Sequence, residues 1–339
     1  MVSYKLRTLY LVIIILLACL QQLFAQQNIQ FTQYVFNSIS VNPAYAGYKE
    51  EWFGQLALRS QWMGMNGGVK TGSLSLDGVL DERSRRHGVG IQLVADAIGA
   101  QSANSLYANY ALRVQLDRAD RHRLSFGIAG GITQYSLDGD KLRYRDEGDG
   151  AIADGLQATW HPDIRLGVLY SSQKWYAGAA VQDLFAGSDA RDVLEFSGNT
   201  VQSLYRRLHA YYIAGILFQL DPGLKLRPSI LVKDDFKGPT SIDLNALFIF
   251  QDRFWVGGGW RSRAKLLRRE YQMASADKLS GQSALTGIAQ FQVSSRLRIG
   301  YSYDHMLGTM SSLQQGTHEI TMGITFQHKH DRIRNPRYF

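Results

Sequence analysis

Four residues across the last hairpin, Asp304, His305, His318 and Glu319, form the nearest approach to a metal-ligand constellation in this chain. A metal centre needs such ligands to converge on one point. His318 and Glu319 are adjacent, however, in a segment that alternates polar and apolar residues, and neighbours in a strand point to opposite faces. Hydrogen bonding at a hairpin rim is therefore the better reading. A nucleophile and its base must share one level and one face. Ser125 and His122 are near in sequence, but an intervening turn puts His122 outside the strand. There is no Gly-x-Ser-x-Gly elbow and no glycine-rich phosphate loop ending in lysine. The single cysteine, Cys19, lies in an N-terminal leader, so the mature chain has no thiol for disulfide or thiolate chemistry. These patterns predict a protein that is not an enzyme and carries neither a metal nor a cofactor.

The elements that would position these residues repeat from about Trp52 to Phe326. Leu106, Ala108, Tyr110, Leu112, Val114 and Leu116 alternate with Ser105, Tyr107, Asn109, Arg113, Gln115 and Asp117. One face of such a strand is apolar and the other polar, even charged. Strands of ~9–11 residues or more suit a tilted bilayer crossing. They can cross lipid only if the sheet closes, because an open edge leaves backbone groups unpaired in hydrocarbon. Beyond the N-terminus no apolar run reaches the ~20 residues of a membrane helix, and mean hydropathy is only −0.19. The fold expected is all-β: a transmembrane outer-membrane β-barrel of about 14 antiparallel strands. They fall near 52–63, 69–80, 88–96, 103–117, 123–137, 161–172, 174–184, 205–220, 224–233, 240–250, 252–261, 283–294, 296–305 and 317–328. Connections after even-numbered strands are mostly short. Those after odd-numbered strands are often long (138–160, 185–204, 262–282 and 306–316), as outer loops are in such barrels.

The ends are distinct. Lys5 and Arg7, an apolar run from Leu9 to Leu20 and then Leu23-Phe24-Ala25 read as an export signal spanning 1–25, cleaved after Ala25. Leu16-Leu17-Ala18-Cys19 is a poorer match to a lipoprotein signal. Residues 26–51 form an N-terminal segment expected to plug or line the periplasmic mouth. Its first half has the character of a short helix that Pro43 ends. The barrel occupies 52–328, and 329–339 is a basic tail. The net charge of +8 is scattered over single strand positions and connections rather than gathered in one stripe, which argues against nucleic acid.

Specific motifs run in order through the chain. They begin with Gln33-Tyr34, Phe36-Asn37, Asn42-Pro43-Ala44-Tyr45-Ala46-Gly47, Gln61-Trp62-Met63-Gly64, Lys70-Thr71 and Leu74-Ser75-Leu76-Asp77-Gly78. They continue through Gly88-Val89-Gly90, Tyr107-Ala108-Asn109-Tyr110, Ser125-Phe126-Gly127, Ser241-Ile242-Asp243-Leu244-Asn245-Ala246, Trp255-Val256-Gly257, Gly300-Tyr301-Ser302-Tyr303-Asp304 and Gly316-Thr317-His318-Glu319-Ile320. With these the chain resembles the PorP/SprF family of Bacteroidetes, outer-membrane proteins of the type IX secretion and gliding apparatus. Thr317 and Val69 depart from the expected serine and proline. The resemblance implies a barrel in outer-membrane lipid that works with periplasmic and outer-membrane secretion and gliding lipoproteins. It also implies help to a cognate secreted cargo or adhesin bearing a C-terminal signal. The residues singled out for partner contact are Asn42, Pro43, Ala44, Tyr45 and Gly47, with Trp62, Gly64 and Lys70 at a hairpin tip on the outer face. For 42–47 the alternative is a turn with Tyr45 packed at the barrel mouth. The rival function is a porin or a transport barrel for hydrophobic solutes.

Overall fold

A computed structural model describes residues 31–326, apart from 82, 143–154, 187–190, 197–198, 206, 237–238, 265–282, 308 and 313. The export signal and the basic tail lie outside the described residues. Strands β1 (Trp52–Ser60), β2 (Lys70–Val79), β3 (His87–Ile98), β4 (Gln101–Gln115), β5 (His122–Asp138), β6 (Leu156–Ser172) and β7 (Trp175–Gln182) form the first half of the wall. A small hairpin, β8 (Arg191–Phe196) with β9 (Asn199–Tyr205), stands apart in the connection that follows. The second half is β10 (His209–Ile216), β11 (Phe218–Asp221), β12 (Leu224–Asp234), β13 (Thr240–Phe250), β14 (Phe254–Ala264), β15 (Ser283–Gln292), β16 (Leu297–Leu307) and β17 (Thr317–Phe326).

β10 and β11 are two pieces of one stave, both paired with β12. The wall is thus a closed antiparallel barrel of 14 strands. Closure comes from the first and last strands, paired from Trp52↔Phe326 to Ser60↔His318. The stave expected at 205–220 is interrupted on its β12 side, where the shared register puts Ile216 opposite Pro228, which has no N–H to give the ladder. On the other side the Leu217 N–H continues the β7 pairing, donating to the Lys174 carbonyl at 2.7 Å. β6 starts five residues before the expected 161, because Leu156, Ala158 and Trp160 continue the alternation upward.

The longest connections, 139–155, 183–208 and 265–282, gather at one end of the barrel, which also holds the two-residue connection 99–100. Tight turns lie at the other end, at 80–86, 116–121, 173–174, 222–223, 251–253 and 293–296, where the chain also enters and leaves the wall. Outward side chains are lipid-facing and apolar: Leu74, Leu93, Leu106, Phe126, Phe248 and Ile320 are all exposed. Aromatic residues gather where such a wall meets water. At the short-turn end His87 and His122 each bond a tyrosine hydroxyl on the next strand, Tyr110 at 2.8 Å and Tyr170 at 2.6 Å.

The lumen is filled. Residues 31–51 run inside the barrel as turns and two three-residue 3-10 segments, Ser38–Ser40 and Pro43–Tyr45. The expected short helix is absent from the described part, 31–40. The segment also reaches further than a mouth plug would, from the long-loop half of the lumen down to β1.

The lumenal segment as candidate functional site

Residues 31–51 are fixed at three levels. At the upper level the Thr32 and Gln33 backbone N–H groups donate to the two carboxylate oxygens of Glu319, at 2.7 and 3.0 Å. Arg59 donates to Glu319 and to Asp304, each at 2.9 Å, and to the Thr32 hydroxyl. That hydroxyl donates in turn to Asp304 at 2.6 Å. Arg261 joins Asp304 to Asp243. Gln33 is wholly buried, donating to the Glu319 carbonyl at 3.2 Å and accepting from Thr321 at 2.8 Å. Buried charges persist only when paired and hydrogen-bonded, and this network meets that condition around the segment's first residues.

At the middle level the contact is apolar. Tyr34, Val35, Phe36, Ile39 and Val41 pack against Leu169, Tyr211, Ile213, Leu231, Leu247, Ile249, Trp255 and Ile288. Phe36 meets Trp255 edge-on at 5.6 Å between ring centroids, the T-shaped arrangement that ring quadrupoles favour. The Tyr34 hydroxyl accepts from Asn245 at 3.1 Å. Burial pushes the Tyr34 and Tyr45 phenols above their ordinary range, so both stay neutral hydrogen-bonding groups.

At the lower level lies the Asn42–Gly47 motif. Asn42 caps the second 3-10 segment, its Oδ1 accepting from the Ala44 N–H at 2.9 Å. Its Nδ2 donates into the wall, to the carbonyls of Val168 and Ala179 at 3.0 and 3.3 Å. Pro43 at the first helical position has no N–H to lose and a preset φ. Glycines in the wall make this seat. A Cβ on Gly127 would lie 2.1 Å from the Ala44 nitrogen, one on Gly88 2.0 Å from the Ala46 oxygen, and one on Gly167 2.1 Å from Asn42 Oδ1. Gly47 adopts φ +69 and donates its N–H to Asp77 at 2.9 Å. Tyr45 stacks on Tyr48 at 4.7 Å. Below, Glu50 pairs with Arg85 at 2.7 Å and with Arg113 at 3.3 Å, and Arg113 and Arg123 both donate to the Arg85 carbonyl. The β2–β3 turn is thereby drawn under the segment.

The residues singled out from sequence thus divide. Asn42, Pro43, Ala44 and Tyr45 are buried against the wall, and Gly47 is buried at the base of the lumen. Trp62, Gly64 and Lys70 sit at the long-loop end. Trp62 (φ 57) donates its N–H to Thr317 at 3.3 Å, and Gly64 has φ 87. The 61–69 connection is tied to the last one through Met63 and Gln315. Lys70 opens β2 and is exposed. The Asp304–His318–Glu319 constellation is split by the wall: both carboxylates face inward onto Arg59, whereas His318 accepts or donates outward with the Tyr301 hydroxyl at 2.7 Å. Ser125 faces inward and His122 outward in the same way. Sequence reasoning missed the seat-forming role of Gly127 and Gly167 and the anchoring role of Glu319. The sole signal was glycine at lumen-facing positions of otherwise regular strands.

Comparisons with known proteins follow this geometry. No curated protein sequence matches the chain. A solved monoaromatic hydrocarbon channel, CymD, is similar in fold at 13% identity with a TM-score of 0.53, covering 91% of this chain and 96% of that one. A FadL homologue of Pseudomonas aeruginosa aligns at 10% identity and a TM-score of 0.46, covering 84% of this chain and 92% of its own. Omp33 of Acinetobacter baumannii aligns at 8% and 0.44, covering 82% of this chain and all of its own. At these identities only CymD carries an argument, and that argument is about fold. The profile of a protein family, by contrast, matches residues 23–324, which takes in the lumenal segment and every wall strand to within two residues of the last. The protein is accordingly an outer-membrane barrel, and the chain belongs to the PorP/SprF family of type IX secretion system membrane proteins.

Proposed function

We propose that this barrel acts by presentation: it holds outer loops and a periplasmic face rigid so that secretion components and one cognate cargo or adhesin bind there. The observation that carries this reading is the occupied lumen. A conduit needs a continuous path. Here the chain's own segment is bonded to opposite walls, to Glu319 above and to Val168 and Ala179 below. The candidates for partner contact are then the exposed Gly64 and Lys70 and the half-buried Trp62, together with the long connections and the periplasmic rim. Asn42 to Gly47 shape the barrel from within. Of the aromatic residues near or within the long connections, Phe185 is exposed; Tyr144 and Tyr271 lie outside the described residues, as do the side chains of Phe196 and Tyr205.

Quantitative proteomics of the cell surface and culture supernatant after clean deletion of the gene tests the proposal. Loss of one large exported protein supports a cognate partner. Loss of all type IX cargo assigns the protein to the core apparatus instead. An unchanged exoproteome sinks the secretion role. The likeness to a monoaromatic hydrocarbon channel favours transport as the second reading. That reading requires conductance or solute uptake by the intact barrel in planar bilayers, whereas the filled lumen predicts neither.

A further inference from the structure

The outer face of β17, β1, β2, β3 and β4 changes character in three successive rows of directly opposed residues. The lowest row, nearest the bilayer centre, is Met322, Leu56, Leu74, Leu93 and Leu106, all large and apolar. One rung up, the row is Ile320, Leu58, Gly72, Ala95 and Asn104. The third, at the long-loop end, is His318, Ser60, Lys70, Ala97 and Ser102. Side chains shrink to nothing at Gly72 and to one methyl at Ala95 and Ala97, while Leu58 and Ile320 stand up beside them, 53% and 54% exposed. The result is a hollow of about 630 Å³ on the membrane side of the wall.

From this we infer that the hollow is a binding site for a phosphate-bearing acylated lipid of the outer leaflet, with an acyl chain laid over Gly72 and Ala95 and the headgroup phosphate on Lys70. Three observations converge. The floor is apolar and continuous with the lipid-facing band below. The change from leucine row to polar row marks where hydrocarbon gives way to headgroups. Successive rows on one face of a strand are ~7 Å apart, so Lys70 lines the outer edge of the hollow, one such step above Gly72. Lys70 is exposed, and its opposed neighbours Ser60 and Ala97 are uncharged. The nearest strand carboxylate, Asp96, faces the lumen and accepts from Thr71. Lys70 forms no ion pair among the described residues, and cationic side chains at this depth attract anionic headgroups. His318, fixed by Tyr301 at 2.7 Å, supplies a second polar group at the same level.

The test uses the full mature barrel in phosphatidylcholine nanodiscs doped with lipid A or with its dephosphorylated form, read by native mass spectrometry of retained lipid. Heat-modifiable migration verifies that each variant is folded. The wild type is expected to retain lipid A. Lys70→Gln should weaken retention of lipid A about fivefold and leave the dephosphorylated form unchanged. The double variant Ala95→Leu/Ala97→Leu fills the hollow and should abolish retention of both. Ala246→Leu, on the outer face of β13, should do neither. Equal retention by all four proteins overturns the proposal. So does capture of a protein rather than a lipid by a photo-crosslinker placed at Asn104 in cells.

Discussion

The two halves of the barrel wall hold the same lumenal segment by different means. Along β1 to β4 and at β16 and β17 the buried inward side chains are mostly polar: Gln55, Arg59, Ser73, Ser75, Gln92, Asn109, Ser302, Asp304, Glu319 and Thr321. Across from them, β7, β10 and β12 to β15 turn Ala180, Tyr211, Ile213, Leu231, Leu247, Ile249, Trp255 and Ile288 inward. These eight form an apolar patch within a wall that also buries Arg227, Ser229, Asp243, Asn245, Thr286 and Gln290, and where the patch meets the segment it works like a soluble core. The polar half holds the segment by direction-specific bonds. Together they fix both where the segment lies and which way it faces: apolar burial is strong but non-directional, while hydrogen bonds in a buried network are directional.

The largest change should come from Gly127→Val. Its Cβ would collide with backbone rather than with a movable side-chain end, so the cost exceeds the ~1–3 kcal/mol of ordinary overpacking. The expected outcome is a folded wall with an unseated segment, seen as new protease cuts between residues 31 and 48. Uncut protein would mean the seat is softer than the geometry implies. Next is Glu319→Ala, which leaves Arg59 and two backbone donors without their shared acceptor. Removing one partner of a buried pair costs about 3–5 kcal/mol, to be read from denaturant unfolding in detergent. Leu247→Ala should cost about 2–5 kcal/mol by opening a cavity in the apolar patch. Ser75→Ala, at an inward position of the polar half, should stay within about 0.5 kcal/mol. Equal effects of these two would erase the distinction between the halves. Between these two falls Asn42→Ala, at about 1–2 kcal/mol for a lost cap and two lost wall bonds. Amide exchange at Ala44 would report that loss before global unfolding does.

Much of the wall could be read from sequence, because alternation is a local signal. Ile242, Leu244, Ala246, Phe248 and Phe250 on one face of β13 were legible as lipid-facing, and β4 and β5 ran close to their expected bounds. The same β13 stretch also carried an unused clue. From Ala246 to Phe250 alternation stops, since Leu247 and Ile249 are apolar as well, and a continuous apolar run marks a strand buried on both faces. The break between β10 and β11 was invisible, as it depends on the register that sets Pro228 of the neighbouring strand opposite Ile216. For residues 26–51, composition indicated a segment distinct from the barrel. Proline at 43 and glycine at 47 signalled turns, but nothing local said how deep the segment sits.

That asymmetry has one physical cause. Lipid is a uniform solvent, so the outward face of each strand answers to the same rule regardless of its neighbours, and a period of two residues in the sequence is enough to specify it. The sequence by itself therefore determined a closed antiparallel wall and its family. The lumen has no such uniform solvent. Thr32 finds Glu319 across 287 residues, and Asn42 finds Val168 across 126. Gly127 and Gly167 matter only because those meetings bring another backbone against them. Where the inward apolar patch lies, what occupies the barrel, and which motif is buried rather than presented were decided by barrel closure, which brings together residues that no local pattern relates.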